Sequence, residues 1–151
     1  MTQSQTKPQA KPRSAYPLFV PFATRWRDND QYGHMNNAVY YELFDSAINK
    51  FLMDAQILDM AGGSGVFLVA SSGCDYFAEV AYPSDVEVGV AISRLGRSAI
   101  TYDLGLFVAD AKMTAARGFV VHVNVGHLGG SPTEMDEATR AKCAPLLRAA
   151  D

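Results

Sequence analysis

Hydrophobic positions along the chain follow two different periods. From Leu18 the large and apolar residues fall on every second position: Leu18, Val20, Phe22, then Thr24 and Trp26. Period two predicts a strand. Pro21 inside it has no amide to give a neighbour, which predicts an edge strand or a bulge. From Asn37 the spacing changes to three and four: Tyr40, Leu43, Phe44, Ala47, Ile48, Phe51, Leu52 and Ala55. That predicts a helix of about twenty residues with a broad apolar stripe. Val39 and Tyr41 lie off the stripe, so the helix is apolar on more than one side. Asn36 or Asn37 is placed to cap it. The segment AGGSG, 61–65, ends this unit as a flexible loop.

Everything beyond reads as β until the C-terminus. Residues 66–82 hold one long strand or two short ones. Alternation then runs through Val86, Val88, Val90 and Ile92, and through Ile100, Tyr102, Leu104, Leu106 and Val108. It returns through Met113, Ala115, Arg117, Phe119, Val121, Val123 and Val125. The connections LGRS and ADAK are short, which predicts antiparallel neighbours. Residues 134–149 read as a C-terminal helix, with Ser131 or Thr133 as its cap. Strand, long helix, at least four strands and a short helix make an α+β domain. A sheet curled around the long helix would bury it best.

Composition narrows the class. The 151 residues fit one domain with a core of reasonable size. Residues 1–15 are too poor in apolar groups to fold. Their Gln, Lys, Ser and Pro content favours a disordered leader over an organelle-targeting segment, leaving 16–151 as the folded domain. The net charge of −3 hides an asymmetry: Lys7, Lys11, Arg13, Arg25 and Arg27 precede every acid. The rest carries all sixteen acids against eight bases, which argues against a nucleic-acid surface. No apolar run is long enough to span a bilayer, and the N-terminus has no secretory h-region. Cys74 and Cys143 match no metal spacing and read as free thiols in a reducing, cytoplasmic setting.

The polar chemistry gathers in RWRDNDQYGHMNNAVYYELFDSA, 25–47, directly before the apolar helix. Free amides at a helix N-terminus, with the positive end of its dipole, stabilise charge growing on a carbonyl oxygen. Asp28 and Asp30 would share a face if the first strand continued through them. Gly33 permits a turn with positive φ or a close approach of substrate. Arg117 sits mid-strand as a partner for an acid such as Asp103. His122 and His127 form no metal pair with His34, so no metal site is expected. Ser64 lacks the G-x-S-x-G context of a nucleophile elbow.

This stretch resembles the D-x-D-x-x-G-H-x-N-N signature of hotdog-fold acyl-CoA thioesterases of the 4-hydroxybenzoyl-CoA thioesterase type. DYFAEVAYPSDVEV and RLGRSAITYDL resemble the family's central strands and following hairpin, so the likeness spans about residues 17–127. The resemblance implies a hotdog fold, an antiparallel sheet of about five strands wrapped around one long central helix. It implies that Asp30 acts on the thioester carbonyl, either by activating water or by attacking it. It places the oxyanion donor, a backbone N–H, near Asn37. Gly33, His34 and Asn36 would shape the substrate loop. Arg97 and Ser98 would meet the coenzyme A nucleotide, since Arg pairs with phosphate through two parallel bonds.

The activity so implied is hydrolysis of an acyl-CoA to free acid and coenzyme A, without a cofactor, by a homodimer or homotetramer. The acyl slot would be lined by the long helix and the sheet and lie at the dimer interface. Phe67, Tyr76, Phe77 and Tyr82 either favour an aromatic acyl group or serve as core. Two alternatives share the fold: a non-catalytic acyl-thioester-binding protein, against which Asp30 weighs, and a thioesterase acting on acyl carrier protein. A hotdog dehydratase would carry a different, histidine-based motif.

Overall fold

The computed structural model describes residues 6–58 and 65–149. Five strands form one antiparallel sheet: β1 (Leu18–Ala23), β2 (Phe67–Tyr76), β3 (Asp85–Leu95), β4 (Ala99–Val108) and β5 (Ala116–Asn124). Their order across the sheet is β1-β3-β4-β5-β2. Short connections make β3, β4 and β5 neighbours, with Val88 opposite Leu106 and Leu104 opposite Gly118. β1 and β2 close the two edges. Pro21 faces Glu87 on the edge strand β1, where a missing amide costs no central ladder bond.

Helix α1, Asn37–Asp54, has 18 residues and packs on one face of this sheet. Its Tyr40, Leu43, Phe44, Ala47, Ile48, Phe51 and Leu52 are buried against Val86, Val88, Val90 and Ile92 of β3 and Ile100, Tyr102, Leu104 and Leu106 of β4. These are the positions the alternation marked. In β5 the expected face is inverted: Ala116, Gly118, Val120, His122 and Asn124 are buried, and Arg117, Phe119, Val121 and Val123 are not. The reason lies in the helix contact. A Cβ on Gly118 would stand 2.5 Å from a ring carbon of Phe44, so the inner row takes a residue without a side chain there. Two further inner positions are polar, and apolarity alone cannot find such a face. Met113 and Ala115 precede the strand.

Three other boundaries differ from expectation. β1 ends at Ala23, and the chain turns into a 3-10 turn at Trp26–Asp28, leaving Trp26 79% exposed. Residues 66–82 give a single strand with a bulge between Val69 and Ser71, followed by an irregular connection to β3. The C-terminal helix α2 covers only Glu137–Cys143. Its cap is Asp136, whose Oδ1 accepts from the Thr139 amide at 2.8 Å, in place of Ser131 or Thr133. Pro145 has no amide to continue the ladder, and the chain tightens into a 3-10 turn over Ala144–Leu146. Apart from Gly65, the 61–65 loop lies outside the described residues.

The stretch read as a disordered leader is tied down from Lys11 onward. Lys11 exchanges two hydrogen bonds with Thr114, each 2.9 Å, and its ammonium meets Asp103 at 2.9 Å. Arg13 pairs with Glu87 at 2.9 Å and lies over the Phe107 ring. Tyr16 is buried on the outer face of the sheet, in space left open by Gly89 and Gly105. These contacts use side chains scattered over the outer sheet face, which a local reading of the leader cannot see. Arg117 does meet Asp103, at 3.4 Å.

Candidate active site

The loop before α1 is built from its two carboxylates. Asp28 is buried, 3% exposed, and both its oxygens are engaged by Arg25. Oδ2 accepts from the Arg25 amide at 2.7 Å, and Oδ1 accepts from the guanidinium at 2.8 and 3.0 Å. Burial alone would raise its pKa; the hydrogen bonds and charge of Arg25, aided by Arg27, win and hold the Asp28 carboxyl below the usual carboxylate range. Asp28 is therefore a structural clamp on the 3-10 turn. That turn also breaks the strand, so Asp28 and Asp30 do not continue a shared strand face.

Asp30 sits at the mouth of a tight loop. Its amide donates to the His34 carbonyl at 2.8 Å, and the Gly33 amide donates to the Asp30 carbonyl at 3.0 Å. Gly33 has φ +79°, and nothing lies within 4 Å of where a Cβ would be, so the backbone conformation is what calls for glycine. The carboxylate is half-buried. Oδ1 accepts from the Tyr32 amide at 2.8 Å, and the other oxygen has no protein partner among the described residues.

The same loop delivers the helix end. The Asn36 amide donates to the Asp28 carbonyl at 2.8 Å, and the Asn36 side chain caps α1 by accepting from the Ala38 amide at 2.9 Å. Asn37 is the first residue of the helix. Its amide has no acceptor among the described residues, as first-turn amides of a helix generally lack one.

A second wall comes from the connection between β2 and β3. The Met35 amide donates to the Val80 carbonyl at 2.7 Å, and the Tyr82 amide donates to Asn29 Oδ1 at 3.0 Å. His34 Nε2 lies 3.3 Å from Glu79 Oε2, and Trp26 meets Tyr82 edge-on at 6.0 Å. Asn29, Glu79 and Val80 were not singled out in the sequence, where DYFAEVAYPSDVEV reads only as resembling central strands of the family.

One turn into α1, Tyr40 packs edge-on to Tyr76 at 4.9 Å, with Cys74 beside them. Burial, and then the neighbouring thiol, push Tyr40 up to about 12. Burial likewise lifts Cys74 to about 11, against the opposing pull of Tyr76. These groups are neutral at pH 7, so no thiolate stands beside the helix here.

The candidates are not all in one place. Asp30, Gly33, His34, Asn36 and Asn37 share the loop and helix end. Tyr76 is next to them, and Tyr82 braces Trp26. Phe67 stacks on His122 at the opposite end of β2. Arg97 and Ser98 stand in the β3–β4 hairpin. The Asp30 loop joins the other end of β3, where Thr24 bonds the Ser84 carbonyl. At a rise of about 3.3 Å per residue, β3 separates the two ends by roughly 30 Å. Arg97 is 81% exposed and pairs with Glu134 at 3.3 Å; the Ser98 carbonyl accepts from Asn124 at 2.7 Å. Among the described residues no group of three or more His, Cys, Asp or Glu could hold a metal ion, and no helix is long and apolar enough to cross a membrane.

A half-buried carboxylate with one unpartnered oxygen, next to the open end of a helix, can take a proton from water or attack a carbonyl beside an anion-stabilising amide. Comparison with known proteins identifies the family. The profile of the thioesterase-like superfamily matches residues 24–143, and the chain belongs to that family. Its fold is accordingly the hotdog fold, built here on a five-stranded antiparallel sheet. The PA5185 protein of Pseudomonas aeruginosa is 41% identical, over 95% of this chain and 100% of that one, with TM-score 0.89. A Thermus thermophilus thioesterase whose crystal structure holds coenzyme A and zinc is 30% identical, over 87% of this chain and 95% of that one, with TM-score 0.73. The uncharacterized protein YsmA of Bacillus subtilis is 24% identical over 89 residues, 59% of this chain; the match spans 60% of that protein's length.

Proposed function

We propose that the protein is an acyl-CoA thioesterase that hydrolyses R–CO–S–CoA to a free acid and coenzyme A. The observation that carries the reading is the coupling of Asp30 to the start of α1 through one short loop, bonded from Asp28 to Asn36 and from Asp30 to His34. In this reading the unpartnered oxygen of Asp30 activates water or attacks the carbonyl. The amide of Asn37 then donates a hydrogen bond to the carbonyl oxygen as negative charge grows on it. Gly33 and Asn36 hold the loop and the cap, and His34 orients the substrate from the rim.

A coenzyme A-bound relative of the same fold supports coenzyme A as the carrier. Arg97 and Ser98 fit a nucleotide-binding role only if they come from a second copy, given their distance from Asp30. A homodimer or homotetramer supplies that copy. β2 offers the joining edge, since Leu68, Val69 and Tyr76 on it are exposed and an open strand edge invites pairing. The test is thiol release from acyl-CoAs by wild type and Asp30→Asn. Turnover that needs Asp30 supports the reading. Binding of acyl-CoA without turnover by the wild type turns it into a non-catalytic thioester-binding protein.

A further inference from the structure

Close to Asp30 the Arg and His side chains differ in one respect. Arg25 is spent on Asp28 and Glu42, and His34 faces Glu79. Farther off, Arg97 is held by Glu134. Arg27 is exposed and has no acid within ion-pair distance among the described residues. Its charge does reach Asp28, but Arg25 already occupies both oxygens of that carboxylate.

Beside Arg27 is the most costly exposed side chain of the loop. Trp26 is 79% exposed, although burying an aromatic ring is worth several kcal/mol in a core. It is not loose. The Arg25–Asp28 clamp fixes the 3-10 turn that carries it, and Tyr82, itself 40% exposed, meets its ring edge-on at 6.0 Å. An exposed indole on a clamped turn, next to an uncommitted guanidinium, is a platform in place before any ligand arrives.

We propose that Trp26 and Arg27, backed by Tyr82, form the landing surface for the phosphorylated pantetheine arm of coenzyme A. The inference rests on reading the Asp30 loop as the thioester site. Two residues, Asp28 and Asn29, separate Arg27 from Asp30, so their Cα atoms stand at most about 11 Å apart, with the Arg side chain reaching further out. Within that reach the guanidinium can meet a phosphate at the far end of an arm whose thioester lies at Asp30. The methyl and amide groups of the arm lie on the indole, and the guanidinium takes the phosphate through paired hydrogen bonds.

Trp26 is the single tryptophan of the chain, so its emission reports this surface whether or not catalysis occurs. Wild type is titrated with coenzyme A, 4′-phosphopantetheine and unphosphorylated pantetheine, each followed by Trp26 fluorescence. The two phosphorylated ligands change the emission saturably and bind roughly tenfold more tightly than pantetheine, the scale of one charge-assisted contact. Arg27→Gln removes that preference, Arg27→Lys keeps part of it, and rising salt erodes it in wild type. No saturable response, equal affinity with and without the phosphate, or an Arg27→Gln variant that keeps the preference would each overturn the proposal. Response to a phosphopantetheinylated carrier protein but not to coenzyme A overturns the assigned occupant. Hydrolysis of acyl-CoA without a Trp26 response sinks the platform and leaves the thioesterase; a Trp26 response without hydrolysis does the reverse.

Discussion

The Tyr32 amide donates to Oδ1 of Asp30 at 2.8 Å and fixes one oxygen of that carboxylate. Asp28, two residues earlier, has both oxygens bound by Arg25. Two acids of the same motif are thus separated in role by their hydrogen bonds. One is saturated and buried, the other is half-committed and open.

The first prediction concerns the saturated acid. Asp28→Asn lowers stability at pH 7 by about 1–3 kcal/mol, the cost of disturbing a buried charged acceptor and its cap. The folded-state pKa of Asp28 lies below its unfolded value. Its contribution is therefore fully present above the unfolded pKa, near 4, and is lost as pH falls through the folded one. Urea unfolding at several pH values reads this directly. The gap between wild type and variant narrows below about pH 4; a gap that stays constant or widens there contradicts the clamp.

Gly33 supplies the second. Open space surrounds its missing Cβ, and φ is +79°. The cost of a side chain is then conformational, about 1–2 kcal/mol for Ala in the left-handed region, and less for Asn. Thermal unfolding should rank glycine above asparagine above alanine at this position. An alanine variant as stable as wild type would show that the turn tolerates another conformation.

His122 gives a third. It is buried, 3% exposed, with Nδ1 unpartnered, between Phe67 and Tyr102. Burial holds its pKa below the ordinary value, against a weaker opposing effect of Asp45. The unfolded chain then binds a proton before the folded one does. Stability is full above the unfolded pKa, about 6.5, and falls as pH drops through the folded value. His122→Phe removes an unsatisfied polar atom while keeping a ring, so it is neutral or stabilising at pH 7. The wild-type decline between pH 7 and 5 should flatten in this variant. An equally steep decline in both proteins would place the titrating group elsewhere.

These residues also mark what a single sequence can carry. The inner faces of β3 and β4 were legible because valine, isoleucine and leucine, with Tyr102, fill them in strict alternation. In β5 the helix contact demanded Gly118, and His122 and Asn124 took inner positions, so the apolar parity pointed outward. The motif from Asp28 to Asn37 was legible as chemistry before a helix. The different hydrogen bonding of Asp28 and Asp30 was not, because it depends on a 3-10 turn held by Arg25. The separation of Arg97 from Asp30 is likewise a property of sheet length and hairpin direction, and a sequence likeness does not measure it.

The central claim is that Asp30 performs the chemistry. Its direct test is thiol release from short, long and aromatic acyl-CoAs by wild type and Asp30→Asn, with thermal unfolding of both. The account predicts wild-type turnover on at least part of the panel, a kcat lowered at least roughly a hundredfold in the variant, and unchanged unfolding. Near wild-type turnover by a folded Asp30→Asn protein would contradict it.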